Sequence, residues 1–236
     1  MLPELTTVSK TLPREADLED YRKAIVSENV LGKPTVSSRE KSFRHLVQHY
    51  GLDRNLPLFR ALRGLGSDDP PSVPLIALTC AFCRDDQLRT SFALIRQLRT
   101  GEVLSRQRME EHLETSFPAR FSAAMKKSLA QNVNTTWTEA GHLLGRVTKR
   151  RAFPVPHVGA STYAMFAGYL LGLRGETLIR SVFAYLVAPD PSIVIAHLSS
   201  ASARGWLRFR HAGGIIEVDF APLLTTKEQA QVHVTP

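Results

Sequence analysis

The sequence predicts a mainly α fold, a helical bundle with helix-turn-helix-like modules and a C-terminal winged-helix-like module carrying a β-hairpin. Three observations predict it. Apolar residues recur at helical spacing, as Phe43, Leu46, Val47 and Tyr50 do at i, i+3, i+4 and i+7. Breaker clusters such as Gly32-Lys33-Pro34 and Gly66-Ser67-Asp68-Asp69-Pro70-Pro71 punctuate that pattern. Period-two alternation flanks Gly213-Gly214, a two-residue hairpin signal.

Taken in order, residues 1–16 hold two prolines and little periodicity and read as a loose N-terminal arm. A helical N-terminal and central region with two helix-turn-helix-like units is expected over 17–151. It begins with a helix over 18–31 that stops at Gly32-Lys33-Pro34. Ser37 or Ser38 then offers an N-cap for a helix through Tyr50, ended by Gly51. Helices over 56–65, 73–82 and 86–99 follow, and 109–113 and 121–132 continue the pattern around a break at Phe117-Pro118. Thr136-Trp137-Thr138-Glu139 matches a capping box, which predicts a new helix running to about Val147 and ending in Lys149-Arg150-Arg151. Residues 153–159, with two prolines, read as a linker or bent strand.

Residues 152–236 form the expected winged-helix-like module. Helices over 160–172 and 176–187 precede a third, which starts at Pro189-Asp190-Pro191-Ser192 and ends at Gly205. In the hairpin, Arg210 should face Glu217, and Arg208 should face Asp219. Leu207 and Phe209 should meet Val218 and Phe220 on the other side. Opposite charges across a strand pair are stabilising, and they occupy the cations that a DNA-gripping wing needs.

A chain of 236 residues suits one or two compact domains, and 43% apolar residues argue against wholesale disorder. Residues 1–10 hold no apolar leader core, and the longest nearly apolar stretch, 163–173, falls short of the roughly 20 residues of a membrane span. Two cysteines make no disulfide framework. A cytoplasmic protein without membrane contact is the expectation. The net charge of +8 and the pI near 9.8 favour polyanionic partners. Residues 31–66 hold 7 Lys/Arg against 2 Asp/Glu, and residues 122–151 hold 6 against one Glu. These two windows carry all of the excess.

Each window has a use. On the helix ending at Tyr50, Ser37, Lys41, Arg44, His45 and Gln48 fall opposite the apolar stripe, a face of donors and cations without an acid. Lys and Arg meet phosphates, while Arg, Gln, Asn and Ser read base edges. The helix before the turn would be its helix-turn-helix companion. Lys33, Ser38, Lys41, Arg44 and Gln48 are the candidate contacts. In the second window the candidates are Lys126, Lys127, Thr135, Thr136, Arg146, Lys149 and Arg150. The threonines are expected at a helix start, where free N–H groups suit phosphate. Arg146, Lys149, Arg150 and Arg151 are expected as a phosphate clamp. A solvated basic face without a ligand is the competing reading of both windows. Trp137 reads as core.

Other chemistry finds little support. Cys80 and Cys83 form a lone CxxC that joins His45 and His49 in a conceivable zinc set. Both cysteines lie in an apolar helical run, where Cys behaves as a small hydrophobe. Pro189-Asp190 with Glu217-Val218-Asp219 resembles a nuclease pattern, but the lysine is missing and Asp190 suits a turn. No P-loop, GxGxxG or GxSxG occurs. The expectation is a non-enzymatic protein without metal or cofactor.

Residues 25–31 (IVSENVL), 44–50 (RHLVQHY) and 132–142 (NVNTTWTEAGH), with the C-terminal helix and hairpin, resemble the BrxA proteins of BREX phage-defence systems. The resemblance spans about residues 20–224. It implies a small, helical, non-enzymatic DNA-binding component acting beside a methyltransferase, an ATPase and other defence proteins. It also keeps RNA open as a ligand, because that family has been likened to an antitermination-type RNA-binding fold. The expected partner is duplex DNA, met mainly through phosphates. RNA, or an acidic protein docked on a scaffold within a defence complex, are the alternatives.

Overall fold

The computed structural model describes residues 1–234, which are mainly helical. Helix α1 (Leu2–Thr11) buries Leu5 and Val8, so the segment expected as a loose arm is folded. Two apolar residues three apart are enough to seat one face of so short a helix. Helix α2 (Leu18–Arg22) is capped by Asp17 and runs into a π-helical turn over Lys23–Ser27, stopping short of the expected Leu31.

Helix α3 (Val36–Tyr50) starts two or three residues earlier than Ser37 or Ser38 would allow as caps. Thr35 is its N-cap, and Ser38 closes the reciprocal capping box. Gly51, at φ +92°, ends it as expected. Helices α4 (Pro57–Asp68), α5 (Val73–Arg84) and α6 (Asp86–Gln97) follow.

The next segment departs furthest from expectation. It comprises β1 (Val103–Leu104), α7 (Arg106–Ser116), α8 (Ala123–Glu139), β2 (Leu143–Leu144) and β3 (Lys149–Arg151). Thr136 caps nothing and lies inside α8. Thr135 and Thr136 turn their hydroxyls back onto the carbonyls of Gln131 and Asn132, at 2.8 and 3.1 Å. The helix does not reach Val147: Gly141, at φ +84°, follows its C-terminus. Lys149-Arg150-Arg151 is a strand, the centre of an antiparallel sheet ordered β1-β3-β2. The turn before it needs Gly145, at φ +104°, because a Cβ there would collide with the carbonyl of Thr148.

The chain then enters α9 (Val158–Leu170), buried from Gly159 to Tyr169 and packed on α4 and α5. The helix lacks a side-chain cap of its own. Asp69 instead accepts from the Gly159 N–H at 2.7 Å, and the Ser72 hydroxyl accepts from the Ala160 N–H at 2.8 Å. A Cβ on Gly159 would press on both. One apolar core therefore runs from Leu5 to Leu224, across the boundary expected near residue 151.

The expected helix over 176–187 breaks at Arg180-Ser181 into α10 (Gly175–Ile179) and α11 (Val182–Val187), because the Ser181 hydroxyl caps the second piece. Helix α12 (Pro191–Ala203) is capped by Asp190, which settles that residue's turn role. The hairpin β4 (Arg208–Ala212) and β5 (Ile215–Asp219) takes the expected register, Arg208 opposite Asp219, Phe209 opposite Val218 and Arg210 opposite Glu217. Arg208 and Asp219 make an ion pair at 3.2 Å. Helix α13 (Thr226–Val234) closes the described chain, and the last two residues of the expected C-terminal module lie outside it. Among the described residues no single helix is long and apolar enough to cross a membrane.

His142, just past α8, is fully buried. Its Nε2 lies 2.9 Å from the carbonyl of Leu186, and Arg151 Nη1 lies 3.3 Å from its Nδ1. An Nε2–H tautomer fits both contacts. Burial, then the Arg151 cation, drive its pKa down to about 3, against the bond to Leu186. Between about 6.5 and 3 the unfolded chain binds a proton that the fold excludes, so stability rises with pH across that window. Acidification should therefore remove about 1.4 kcal/mol per pH unit below about 6.5 through this residue. Denaturation midpoints measured from pH 7 to 4 should fall less steeply in His142→Gln, and parallel curves would contradict this.

Candidate nucleic-acid interface

Residues 86–151 run helix, strand, helix, helix, strand, strand, with the third strand central in the sheet. That is the element order and sheet order of a winged helix: α7 and α8 take the places of the helix-turn-helix pair, and the β2–β3 turn takes that of the wing. It occurs in the middle of the chain, whereas the winged module was expected after residue 152. The C-terminal segment has four helices, α9 to α12, before its hairpin, because the expected second helix is split in two.

Helix α8 turns Ala130, Val133, Asn134 and Trp137 inward. Trp137 stacks on Phe92 and donates from Nε1 to the Ser91 hydroxyl at 2.8 Å, which locks α8 onto α6. Its exposed side carries Met125, Lys127, Ser128, Gln131, Asn132 and Thr135, with no carboxylate among them. An α-helix fits the major groove of B-DNA, and Gln and Asn can grip adenine through two hydrogen bonds. At the wing tip, Arg146 and Val147 are exposed, and Arg146 has no protein partner among the described residues.

The first window borders the same site. Ser37, Lys41, Arg44 and Gln48 make an exposed stripe along α3. His45, Gln48 and His49 of α3 face Asn132, Thr135 and Thr136 of α8 across a groove of about 280 Å³. Arg84 secures the end of α3 by donating to the carbonyls of Gln48 and Val47. Burial and the nearby cations Lys41 and Arg44 lower the His45 pKa. Burial also lowers that of His49, against the pull of Asp85, whose carboxylate lies 3.6 Å away. Asp85 and Glu139 also line this groove.

The twelve candidate residues fare differently. Lys41, Arg44 and Gln48 on α3, with Lys127 and Arg146, are exposed and have no carboxylate partner among the described residues. Lys33 is held by Glu4 at 3.0 Å, and Lys126 by Glu114 at 2.6 Å. Ser38 is committed to its cap. Thr135 and Thr136 sit in the second half of α8, so the free N–H groups expected beside them are not there. Lys149 donates to the Thr138 hydroxyl and Arg150 to the carbonyl of Gly101. Arg151 leaves the clamp altogether. It is 2% exposed, donates to the carbonyls of His142 and Ala152, and lies over the Phe153 ring.

Sequence reasoning missed Gln131, Asn132 and Ser128 because it split α8 in two. Reading Gly141, after Glu139-Ala140, as the helix stop would have recovered them. Cys80 is buried in the core, with Sγ 3.8 Å from the carbonyl of Tyr50. Among the described residues no group of three or more His, Cys, Asp or Glu is placed to hold a metal ion. Comparison of the chain with family models, with curated proteins and with solved structures finds no match.

Proposed function

We propose that this chain is a non-enzymatic duplex-DNA-binding protein, with α8 seated in the major groove, Arg146 of the wing on the flanking backbone, and Lys41 and Arg44 of α3 on phosphates beside it. One observation carries this reading. A winged-helix-like unit presents a helix whose exposed stripe holds Met125, a cation and polar donors without a carboxylate, and a second acid-free helical stripe borders the same groove, which Asp85 and Glu139 also line. A duplex RNA is the poorer fit, because its deep, narrow major groove does not admit a helix. The likeness of residues 25–31, 44–50 and 132–142 to BrxA makes a BREX-type phage-defence system the proposed setting, with a methyltransferase and an ATPase as proposed partners.

Base readout is assigned to Gln131 and Asn132. Replacing both by Ala should weaken the preferred duplex by about 1–3 kcal/mol per lost two-bond contact. Affinity for unrelated duplexes and the salt slope should stay unchanged, since phosphate contacts hold those up. Competition binding with selected and random duplexes measures both. An equal fall for all sequences would remove these residues from base reading. Duplex binding outcompeted by structured RNA, or co-purification of an acidic protein with no shift of DNA, would point to the alternative partners.

A further inference from the structure

A cleft of about 710 Å³ lies between α1, the second half of α4 and the start of α5, away from the helices proposed to face DNA. That is within the range of small-molecule sites. Leu5, Leu12, Leu62, Val73 and Ile76 give it apolar walls. The charged side chains that line it are Lys10, Arg14 and Arg63, and no carboxylate is among the lining residues.

Arg63 is the unusual one. It is 7% exposed and has no carboxylate within ion-pair distance among the described residues. Its guanidinium donates to the Tyr21 hydroxyl at 2.6 Å and to the carbonyl of Leu12 at 2.7 Å. Two of its five N–H groups are thereby used, and the other three have no protein partner among the described residues. A buried cation satisfied only by neutral acceptors is expensive, and an anion beside it removes the penalty. Nearby, Lys10 has no carboxylate partner among the described residues, while Arg14 is neutralised by Asp68 at 2.6 Å. The hydroxyls of Thr6, Ser9 and Ser67 also line the cleft without protein hydrogen bonds among the described residues.

We infer that this cleft binds a small amphiphilic anion, with an acidic head group on Arg63 and Lys10 and an apolar body along the leucine, valine and isoleucine walls. The charge pattern selects the head group, because a cationic amphiphile of the same body would meet two like charges. The inference is independent of DNA binding, since none of the residues involved belongs to α3, α8 or the wing.

The test is calorimetric titration of the full chain with dodecanoate and with dodecyltrimethylammonium, both below their micelle concentrations. Dodecanoate should bind saturably at one per chain, and dodecyltrimethylammonium about tenfold or more weaker. Ser9→Trp, which fills the cleft from α1 and leaves Arg63 in place, should lower dodecanoate affinity by about tenfold or more at unchanged melting temperature. Arg63→Met should abolish the preference between the two head groups. Absent saturable binding of dodecanoate, equal binding of both amphiphiles, or undiminished binding to Ser9→Trp would each overturn the inference, whether or not Arg63→Met folds.

Discussion

Duplex-DNA affinity should collapse when Lys41, Arg44, Lys127 and Arg146 are replaced together by Ala. All four are exposed and have no carboxylate partner among the described residues. If each neutralises one phosphate, the log–log dependence of affinity on salt should become shallower by about 3.6, and affinity near 0.1 M salt should drop roughly 10³-fold. The fold should survive, since surface substitutions of this kind change stability by only about 0.5 kcal/mol each. Lys33→Ala with Lys126→Ala should do much less, because Glu4 and Glu114 already neutralise those cations. Fluorescence anisotropy on a labelled duplex at several salt concentrations separates the cases. Equal slopes for the two variants would mean that pairing within the protein does not decide which cations reach the phosphates.

The second large effect is on stability. Trp137 is fully buried, stacks on Phe92 at 5.6 Å and meets the His142 ring edge-on at 5.0 Å. Trp137→Ala should cost about 3–5 kcal/mol through lost contacts and the cavity left behind. The Ser91 hydroxyl would also lose its indole donor, for about 1 kcal/mol more. Total stabilities of native proteins run at about 5–15 kcal/mol, so this one substitution would remove a large part of the whole. Urea denaturation followed by circular dichroism measures it, and a loss below about 1 kcal/mol would contradict the packing described. DNA binding should fall in the same variant, because Trp137 fixes α8 on α6.

The parts legible in the sequence are those with long periods or strict turn chemistry. The α3 stripe of Ser37, Lys41, Arg44 and Gln48 could be read from about four helical turns of pattern, and its exposure matches. The β4–β5 register could be read to the residue because Gly213-Gly214 pins a two-residue turn and one-residue slips invert both faces. The wing was hidden for the opposite reason. Strands of two or three residues, Val103–Leu104, Leu143–Leu144 and Lys149–Arg151, are too short to show alternation, and the first pairs with the third across more than 40 positions of chain.

Two further misreadings have local causes. Thr136-x-x-Glu139 has the spacing of a capping box, but α8 passes through it, because Val133 and Trp137 continue the apolar stripe. Arg151 looks like its neighbours in a basic run. A strand turns alternate residues to opposite faces, so Arg150 points outward while Arg151 is packed beneath His142 and Phe153. Charge counting along the chain locates the basic windows but cannot tell a free cation from a neutralised or buried one.

The two acid-free helical stripes and the wing together imply a polyanion-binding surface, and the equilibrium affinity of the unaltered chain for a duplex across a range of salt concentrations tests that most directly. Four unpaired cations at the interface lead to a log–log slope of about −3.6 or steeper. A flat dependence, or no measurable binding at low salt, would contradict the assignment of α3, α8 and the wing to DNA.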